Sequence, residues 1–269
     1  MTISPNYGRL TKALQTWSEF QVNAKCKHCT WDSAHLLVQS AKILHQYAQQ
    51  HLQDALAGSD AELSPLSEPL KLNLGEHRWL SADREESYSD WLAWILQGMS
   101  GATEILPLFA LDHEAMRNLL GPVESIRREA WSNEKDSRTD IEVWFGDRSL
   151  LLIEVKVQNP GAELSAQLKR YAQRVADQHV ERPLLVLLGT EATEPDLPLF
   201  GFIFTDWRTL CKRLRQYANR VKGSDLLRAA AILIFCGAVE QNLLRLSCRP
   251  RSFRAMATVN YLREWRCGV

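Results

Sequence analysis

Two short apolar runs in the middle of the chain carry charged side chains. The run L-L-L-I-E-V-K-V places Glu154 and Lys156 two residues apart, so a strand presents both on one face. The run T-D-I-E-V-W places Asp140 at a strand start and Glu142 two residues later. An isolated carboxylate and ammonium are costly to bury in so apolar a strand, which indicates that they face a solvated or metal-bearing cleft.

These residue types suit the hydrolysis of a phosphodiester bond. That reaction needs charge neutralisation at the phosphate, an activated water and a stabilised leaving oxygen, and a magnesium ion contributes to all three. Mg²⁺ takes hard oxygen ligands, typically one or two carboxylates completed by water and substrate oxygens. A twisted hairpin of the two strands would bring Asp140 and Glu154 together. The sequence therefore predicts a magnesium site there, with Mn²⁺ as a substitute.

Hydrophobic spacing and turn residues predict the elements that hold these side chains. Helical spacing covers residues 7–56, and a stretch rich in Ser, Pro and acids over 58–69 predicts a linker or surface loop. Another helix begins near Asp83. Strands are predicted over 123–131, 139–145, 149–157, 184–188 and 202–205, and helices over 163–176, 207–221 and 225–246. The order helix, three strands, helix, strand and a further extended run indicates an α/β fold.

Charge is distributed unevenly along the 269 residues, although the net charge is zero. Residues 206–269 hold thirteen Lys and Arg against four Asp and Glu, and the preceding part of the chain is correspondingly acidic. A basic C-terminal third favours a polyanionic ligand, because local fields attract phosphates. A solvated helical surface explains the same pattern equally well.

The remaining composition limits the compartment and the cofactors. Among six cysteines only Cys26 and Cys29 have a motif-like spacing, and C-K-H-C falls short of the four ligands of a structural zinc. No apolar segment follows a basic start, so we expect a cytoplasmic protein. The longest apolar run, 229–239, has eleven residues, whereas a membrane span needs about twenty. It therefore predicts a buried core helix and no membrane partner.

The two acidic strands, D-S-R-T-D-I-E-V and L-L-I-E-V-K-V, resemble the motifs of the PD-(D/E)XK nuclease superfamily. E-x-K is present in full, and Thr139 stands where the proline of the name would be. A-E-L-S-A-Q-L-K-R-Y resembles the Q-x-x-x-Y helix motif of one branch, and E-S-Y-S-D-W-L-A-W-I-L resembles its first-helix signature. G-F-I-F-T-D-W-R-T-L resembles the segment that often closes the core, so the resemblance covers roughly residues 83–210.

The resemblance implies a restriction-endonuclease-like αβββαβ core, with a mixed sheet flanked by helices. This core would occupy residues 71–210. An N-terminal helical extension and linker would precede it over 1–70. A basic helical region over 211–269 would follow and pack on the core.

The same resemblance implies roles for four residues of the acidic strands. Asp140 and Glu154 would bind the catalytic magnesium, joined by the backbone carbonyl of Val155. Lys156 would position the attacking water or stabilise charge that develops on the phosphate. The alternative for Glu154 and Lys156 is an exposed ion pair, a common surface feature that contributes little to stability.

The flanking helices supply three further residues in this family pattern. Glu86 would be an outer or second metal ligand, although Glu85 or Asp90 could replace it, and these acids also complement a helix dipole. Gln167 and Tyr171, at i and i+4 on one helical face, would orient Lys156 or touch the phosphates of the scissile strand. The alternative for this pair is a polar helix face.

Basic side chains near the expected cleft are candidates for holding nucleic-acid phosphates. They are Arg127, Arg128, Lys169, Arg170 and Arg174. Each is also compatible with an ordinary surface position.

The sequence thus predicts a magnesium-dependent endonuclease that hydrolyses DNA. By analogy of fold alone, it would be an effector of bacterial defence against phage, with an accessory defence protein as a candidate partner. Similar nucleases often pair, so a homodimer is a further expectation. The alternatives are cleavage of RNA, because magnesium chemistry does not distinguish the two sugars, and a non-cutting binding or assembly protein with a nuclease fold.

Overall fold

The computed structural model describes residues 15, 31–63, 68–71, 80, 84–111, 121–131, 138–146, 149–158, 163–178, 180–190, 199–246 and 252–267. The chain falls into two compact units, one made of 1–71 and 246–269 and the other of 72–245. The sequence instead suggests divisions at residues 70 and 210. The difference lies in the C-terminal third, because 211–245 belong to the unit that holds the sheet and 246–269 to the unit of the N-terminal helix.

The regular elements follow in the order of three helices, three strands, one helix, two strands and three helices. They are α1 (Trp31–Leu63), α2 (Glu85–Gln97), α3 (Ala102–Ile105), β1 (Val123–Trp131), β2 (Arg138–Phe145), β3 (Ser149–Val155), α4 (Leu164–Asp177), β4 (Arg182–Gly189), β5 (Phe202–Asp206), α5 (Trp207–Val221), α6 (Leu226–Asn242) and α7 (Ser252–Cys267). Single 3₁₀ turns lie at Pro69–Lys71 and Leu106–Phe109.

In the first unit, α1 packs against α7, and Leu52 and Tyr261 are among the side chains that these helices bury. The loop predicted over 58–69 is wrong at its start, because 58–63 continue the helix. Ser59 is compatible with the helix because its hydroxyl donates to the carbonyl of Ala55 at 3.0 Å. The predicted helical residues before 31, apart from residue 15, and both cysteines of C-K-H-C lie outside the described residues.

The second unit is built on a five-stranded sheet in the order β1-β2-β3-β4-β5. β1, β2 and β3 pair antiparallel, whereas β3, β4 and β5 pair parallel. Every strand lies where the sequence predicts it, and no strand end differs by more than two residues. The α/β class and the mixed sheet flanked by helices are therefore confirmed.

Alternation along the central strand β3 decides which side chains face the functional site. All of its residues are buried, as expected for a strand covered on both faces. Leu150 and Leu152 pack with Leu168 of α4 in one apolar cluster. Glu154 has the same parity as these two leucines, so its carboxylate is on the face that α4 covers. Ile153 points to the opposite face.

Helices α5 and α6 pack together on either side of a buried ion pair. Arg215 of α5 meets Glu240 of α6 through two contacts of 2.7 and 2.6 Å, and neither side chain is exposed. The apolar run 229–239 lies within α6 and supplies buried core residues, as predicted. Among the described residues, no helix combines the length and hydropathy that crossing a bilayer requires.

Candidate functional site

The two acidic strands stop pairing just before their key carboxylates. The β2–β3 register runs from Phe145↔Ser149 to Ile141↔Ile153, so Asp140 and Glu154 come directly after the last pair. On the other edge of β3, the N–H of Lys156 still donates to Leu188 of β4 at 2.7 Å. A short gap between β2 and β3 thus opens where the two carboxylates lie.

Asp140 takes a hydrogen bond that would otherwise belong to the strand ladder. The N–H of Val155 points toward β2 and donates to Oδ2 of Asp140 at 2.7 Å. The N–H and the C=O of one strand residue point to the same neighbour, so the carbonyl of Val155 is directed to this gap as well. The sequence-predicted trio of Asp140, Glu154 and the Val155 carbonyl is therefore brought to one end of the sheet.

The partners of Glu154 in the described part of the chain all bond one of its carboxylate oxygens. Its Oε1 accepts from Nζ of Lys156 and from Nε2 of Gln167, both at 2.7 Å, while the residue is 1% exposed. Its Oε2 is buried and accepts no hydrogen bond from the described residues. A buried carboxylate oxygen without a donor is costly, which makes Oε2 a natural ligand for a cation.

A third carboxylate reaches the site from the first turn of α2, and it is Glu85. Its Oε2 lies 3.2 Å from Nζ of Lys156, and its Oε1 accepts from the N–H of Val157 at 3.3 Å. The sequence analysis assigns the carboxylate from this helix, an outer or second metal ligand, to Glu86. The Glu86 side chain is exposed, and its backbone carbonyl accepts from Arg128 at 3.4 Å. Successive helical residues point about 100° apart, so only one of the two acids can face the strand end.

Gln167 and Tyr171 contact Glu154 and β2 rather than Lys156. The amide of Gln167 donates to Oε1 of Glu154 and, at 2.9 Å, to the hydroxyl of Tyr171. That hydroxyl donates to the carbonyl of Arg138 at 2.5 Å. The two residues thus connect the Glu154 carboxylate to the start of β2, and Gln167 reaches Lys156 only through the shared Oε1 of Glu154. Their contact with the phosphates of a scissile strand stays a prediction.

Burial and neighbouring charges shift the pKa of four groups at this site. Burial, then the charge of Asp140, raise the pKa of Glu154 to about 8 against the opposing effect of Lys156. Burial also raises the pKa of Asp140, opposed by Lys156 and by the Val155 N–H. Burial alone would lower the pKa of Lys156, but Glu154 and Glu85 together raise it, so the ammonium stays charged. Burial and the charge of Glu154 raise the pKa of Tyr171 to about 12.

The donor set fits Mg²⁺ or Mn²⁺. The described residues contain no group of three or more His, Cys, Asp or Glu that encloses a common metal position. Mg²⁺ does not require one, because it usually takes one or two carboxylates and keeps several waters. Asp140, Oε2 of Glu154 and the carbonyl of Val155 are hard oxygen donors at one strand end, and once both carboxylates are ionised their two negative charges exceed the one positive charge of Lys156.

Arg174, one of the two α4 arginines predicted to bind phosphate, pairs with a carboxylate of the protein itself. Arg174 forms an ion pair with Oε1 of Glu142, and the two side chains are 12% and 3% exposed. Glu142 also accepts from the Thr139 hydroxyl at 2.9 Å and from the Trp144 indole at 3.3 Å. In this structure Arg174 is thus engaged by Glu142, and its contact with nucleic-acid phosphates stays a prediction.

The other four predicted basic residues remain on the surface to different degrees. Arg128 pairs with Asp90 of α2 at 2.7 Å and is partly exposed. Arg127 on β1 and both Lys169 and Arg170 on α4 are exposed. These three side chains can meet a polyanion without breaking an ion pair that the structure records.

One site residue was not assigned a role from the sequence. The indole of Trp207, at the start of α5, donates to the backbone carbonyl of Lys156 at 3.0 Å and is fully buried. Its signal is the T-D-W segment, which the sequence marks only as closing the core. The preceding Thr205 ties β5 to the carbonyl of Phe109 at 3.0 Å, so this segment also fixes the neighbouring turn.

Comparison with known proteins adds no assignment for this site. No family model, curated protein or solved structure matches this chain. The arrangement consists of two strand-end carboxylates, a third from α2 and a buried ammonium between them. Such a group can hold a divalent cation and stabilise negative charge that develops on an adjacent oxygen.

Proposed function

We propose that this chain is a magnesium-dependent nuclease with a restriction-endonuclease-like core. One observation carries the proposal: Asp140 and Glu154 converge where β2 and β3 stop pairing, beside the buried ammonium of Lys156. The element order of helix, three strands, helix and strand supports the core assignment. The buried Oε2 of Glu154 supports metal binding, because it accepts no hydrogen bond from any residue that the structure describes.

Each residue of the cluster then has a task. Asp140, Glu154 and the Val155 carbonyl would hold Mg²⁺, which when bound neutralises phosphate charge and lowers the pKa of a bound water. Lys156 keeps its proton and presents an ammonium 2.7 Å from Glu154, where it can hold a water or stabilise charge on the phosphate. Glu85 holds that ammonium in place from its other side.

Substrate and biological role belong to the same proposal. The resemblance of the acidic strands to PD-(D/E)XK nucleases favours DNA, and the exposed Arg127, Lys169 and Arg170 can contact its backbone. We propose an endonuclease that serves as an effector of defence against phage. A second copy of the chain or an accessory defence protein is the partner that such a role suggests.

Cleavage of labelled nucleic acid tests the proposal directly. The full chain is incubated with DNA and with RNA of matched sequence, in Mg²⁺ or in EDTA. We expect DNA cleavage in Mg²⁺ only, with a loss of about 10²-fold or more in Asp140→Ala and Lys156→Ala. The matched control is Glu163→Gln, since Glu163 is an exposed acid next to α4 that makes no capping hydrogen bond.

The possible results separate the candidate functions. If both alanine variants cleave DNA as fast as the wild type, the activity comes from a contaminant or another site, and the assignment is refuted. Cleavage of RNA without cleavage of DNA would make RNA the substrate in place of DNA. Binding of Mn²⁺ between Asp140 and Glu154 in a soaked crystal, without any cleavage, would favour the non-cutting protein.

A further inference from the structure

Helix α4 holds β2 at two points on either side of Asp140. Two residues before it, the carbonyl of Arg138 accepts from the Tyr171 hydroxyl at 2.5 Å. Two residues after it, Glu142 pairs with Arg174. Tyr171 and Arg174 are three residues apart and so share one face of α4. The metal-ligand candidate therefore lies midway between two contacts with the same helix.

This support matters because β2 no longer pairs with β3 at Asp140. Its pairing with β3 ends at Ile141, whereas β1 continues alongside, with Arg128 opposite Ile141 and Ala130 opposite Thr139. One edge of the strand end is thus secured by a ladder, and the contacts recorded on the other edge are made by side chains. A strand end held on one edge can shift, and a shift there moves Asp140.

We propose that Arg174 is a positioning residue, whose ion pair with Glu142 fixes the end of β2 and with it the carboxylate of Asp140. Where it concerns metal affinity, this inference rests on the proposed function. Glu142 is suited to the role because its carboxylate accepts from three side chains, among them the Thr139 hydroxyl just before Asp140. The carboxylate therefore transmits the position of α4 to the residues that flank Asp140.

Two measurements report on Asp140 independently of catalysis. The first is hydrogen exchange at the Val155 amide, which is bonded to Asp140. The Lys156 amide, bonded to Leu188, is its internal reference. The second is the dissociation constant for Mn²⁺, which loss of a group that supports a ligand typically raises roughly 10- to 100-fold.

The variant Arg174→Gln removes the ion pair. We expect faster exchange at Val155 with no change at Lys156, weaker Mn²⁺ binding by roughly 10- to 100-fold, and unchanged DNA affinity in EDTA. Arg220→Gln is the matched control, since Arg220 is an exposed arginine of α5. If Arg174→Gln does not fold, Glu142→Gln combined with Arg174→Met removes both charges, and the same changes are expected.

The outcomes keep this inference separate from the proposed function. Wild-type exchange at Val155 together with wild-type Mn²⁺ affinity in the variant would overturn the positioning role. Loss of DNA affinity in EDTA with both other readings unchanged would restore the phosphate-binding role. A wild-type chain that binds no Mn²⁺ would refute the nuclease proposal, and exchange at Val155 would still decide whether Arg174 positions Asp140.

Discussion

Replacement of Glu154 by glutamine should change how stability depends on pH. Burial, then Asp140, raise the pKa of Glu154 to about 8 from an ordinary 4.5. Between these two pH values the folded protein keeps a proton that the unfolded chain releases. The unfolded state is therefore favoured progressively as pH rises, and Glu154 makes the metal-free protein less stable toward pH 8.

The size of this effect follows from the same shift. One proton held over one pH unit corresponds to about 1.4 kcal/mol, so the interval from 4.5 to about 8 amounts to about 5 kcal/mol at most. Glutamine has the shape of the protonated acid and does not titrate. The variant Glu154→Gln should resemble the wild type near pH 5 and exceed its stability by a few kcal/mol at pH 8.

Urea unfolding in EDTA, at pH 5, 6, 7 and 8, measures this difference in the free energy of unfolding. The control Glu163→Gln changes an exposed acid and should follow the wild type at every pH. A difference between Glu154→Gln and wild type that stays constant from pH 5 to 8 would refute the reasoning. It would mean that Glu154 has an ordinary pKa and is solvated.

Three further predictions follow from contacts of the same unit. Affinity for Mn²⁺, measured by calorimetry, should rise roughly tenfold from pH 6 to 7 and level off above pH 8, because the ion must displace the proton of Glu154. Gln167→Leu removes a donor to Glu154 and should weaken Mn²⁺ binding about tenfold or more by the same assay. Arg215→Met removes the guanidinium that pairs with the buried carboxylate of Glu240 and should cost about 3–5 kcal/mol in urea unfolding, which Glu240→Leu in the same chain should largely recover.

Strand periodicity made the central part of the site predictable. Side chains alternate strictly along a strand, so the spacing of Glu154 and Lys156 places both on one face without any knowledge of the fold. Asp140 could be paired with them because a hairpin links the two strands. The structure places all three at the same end of β2 and β3.

Contacts that depend on the meeting of distant elements could not be predicted in this way. Whether Glu85 or Glu86 faces Lys156 depends on the rotation of α2 about its axis, which adjacent acidic residues do not reveal. Arg174 looks like a surface residue in sequence, because its partner Glu142 becomes its neighbour only when α4 packs on the sheet. The grouping of 246–269 with the N-terminal helix is likewise a long-range event.

The backbone around Lys156 is bonded on both sides, to Leu188 through its N–H and to the Trp207 indole through its C=O. A free lysine side chain samples many rotamers, and ordering it costs about 2 kcal/mol. In this protein Glu154 and Glu85 restrict those rotamers once the chain has folded. That loss of freedom precedes every encounter with a ligand, so whatever anion arrives at this end of the sheet meets a cation already in its final place.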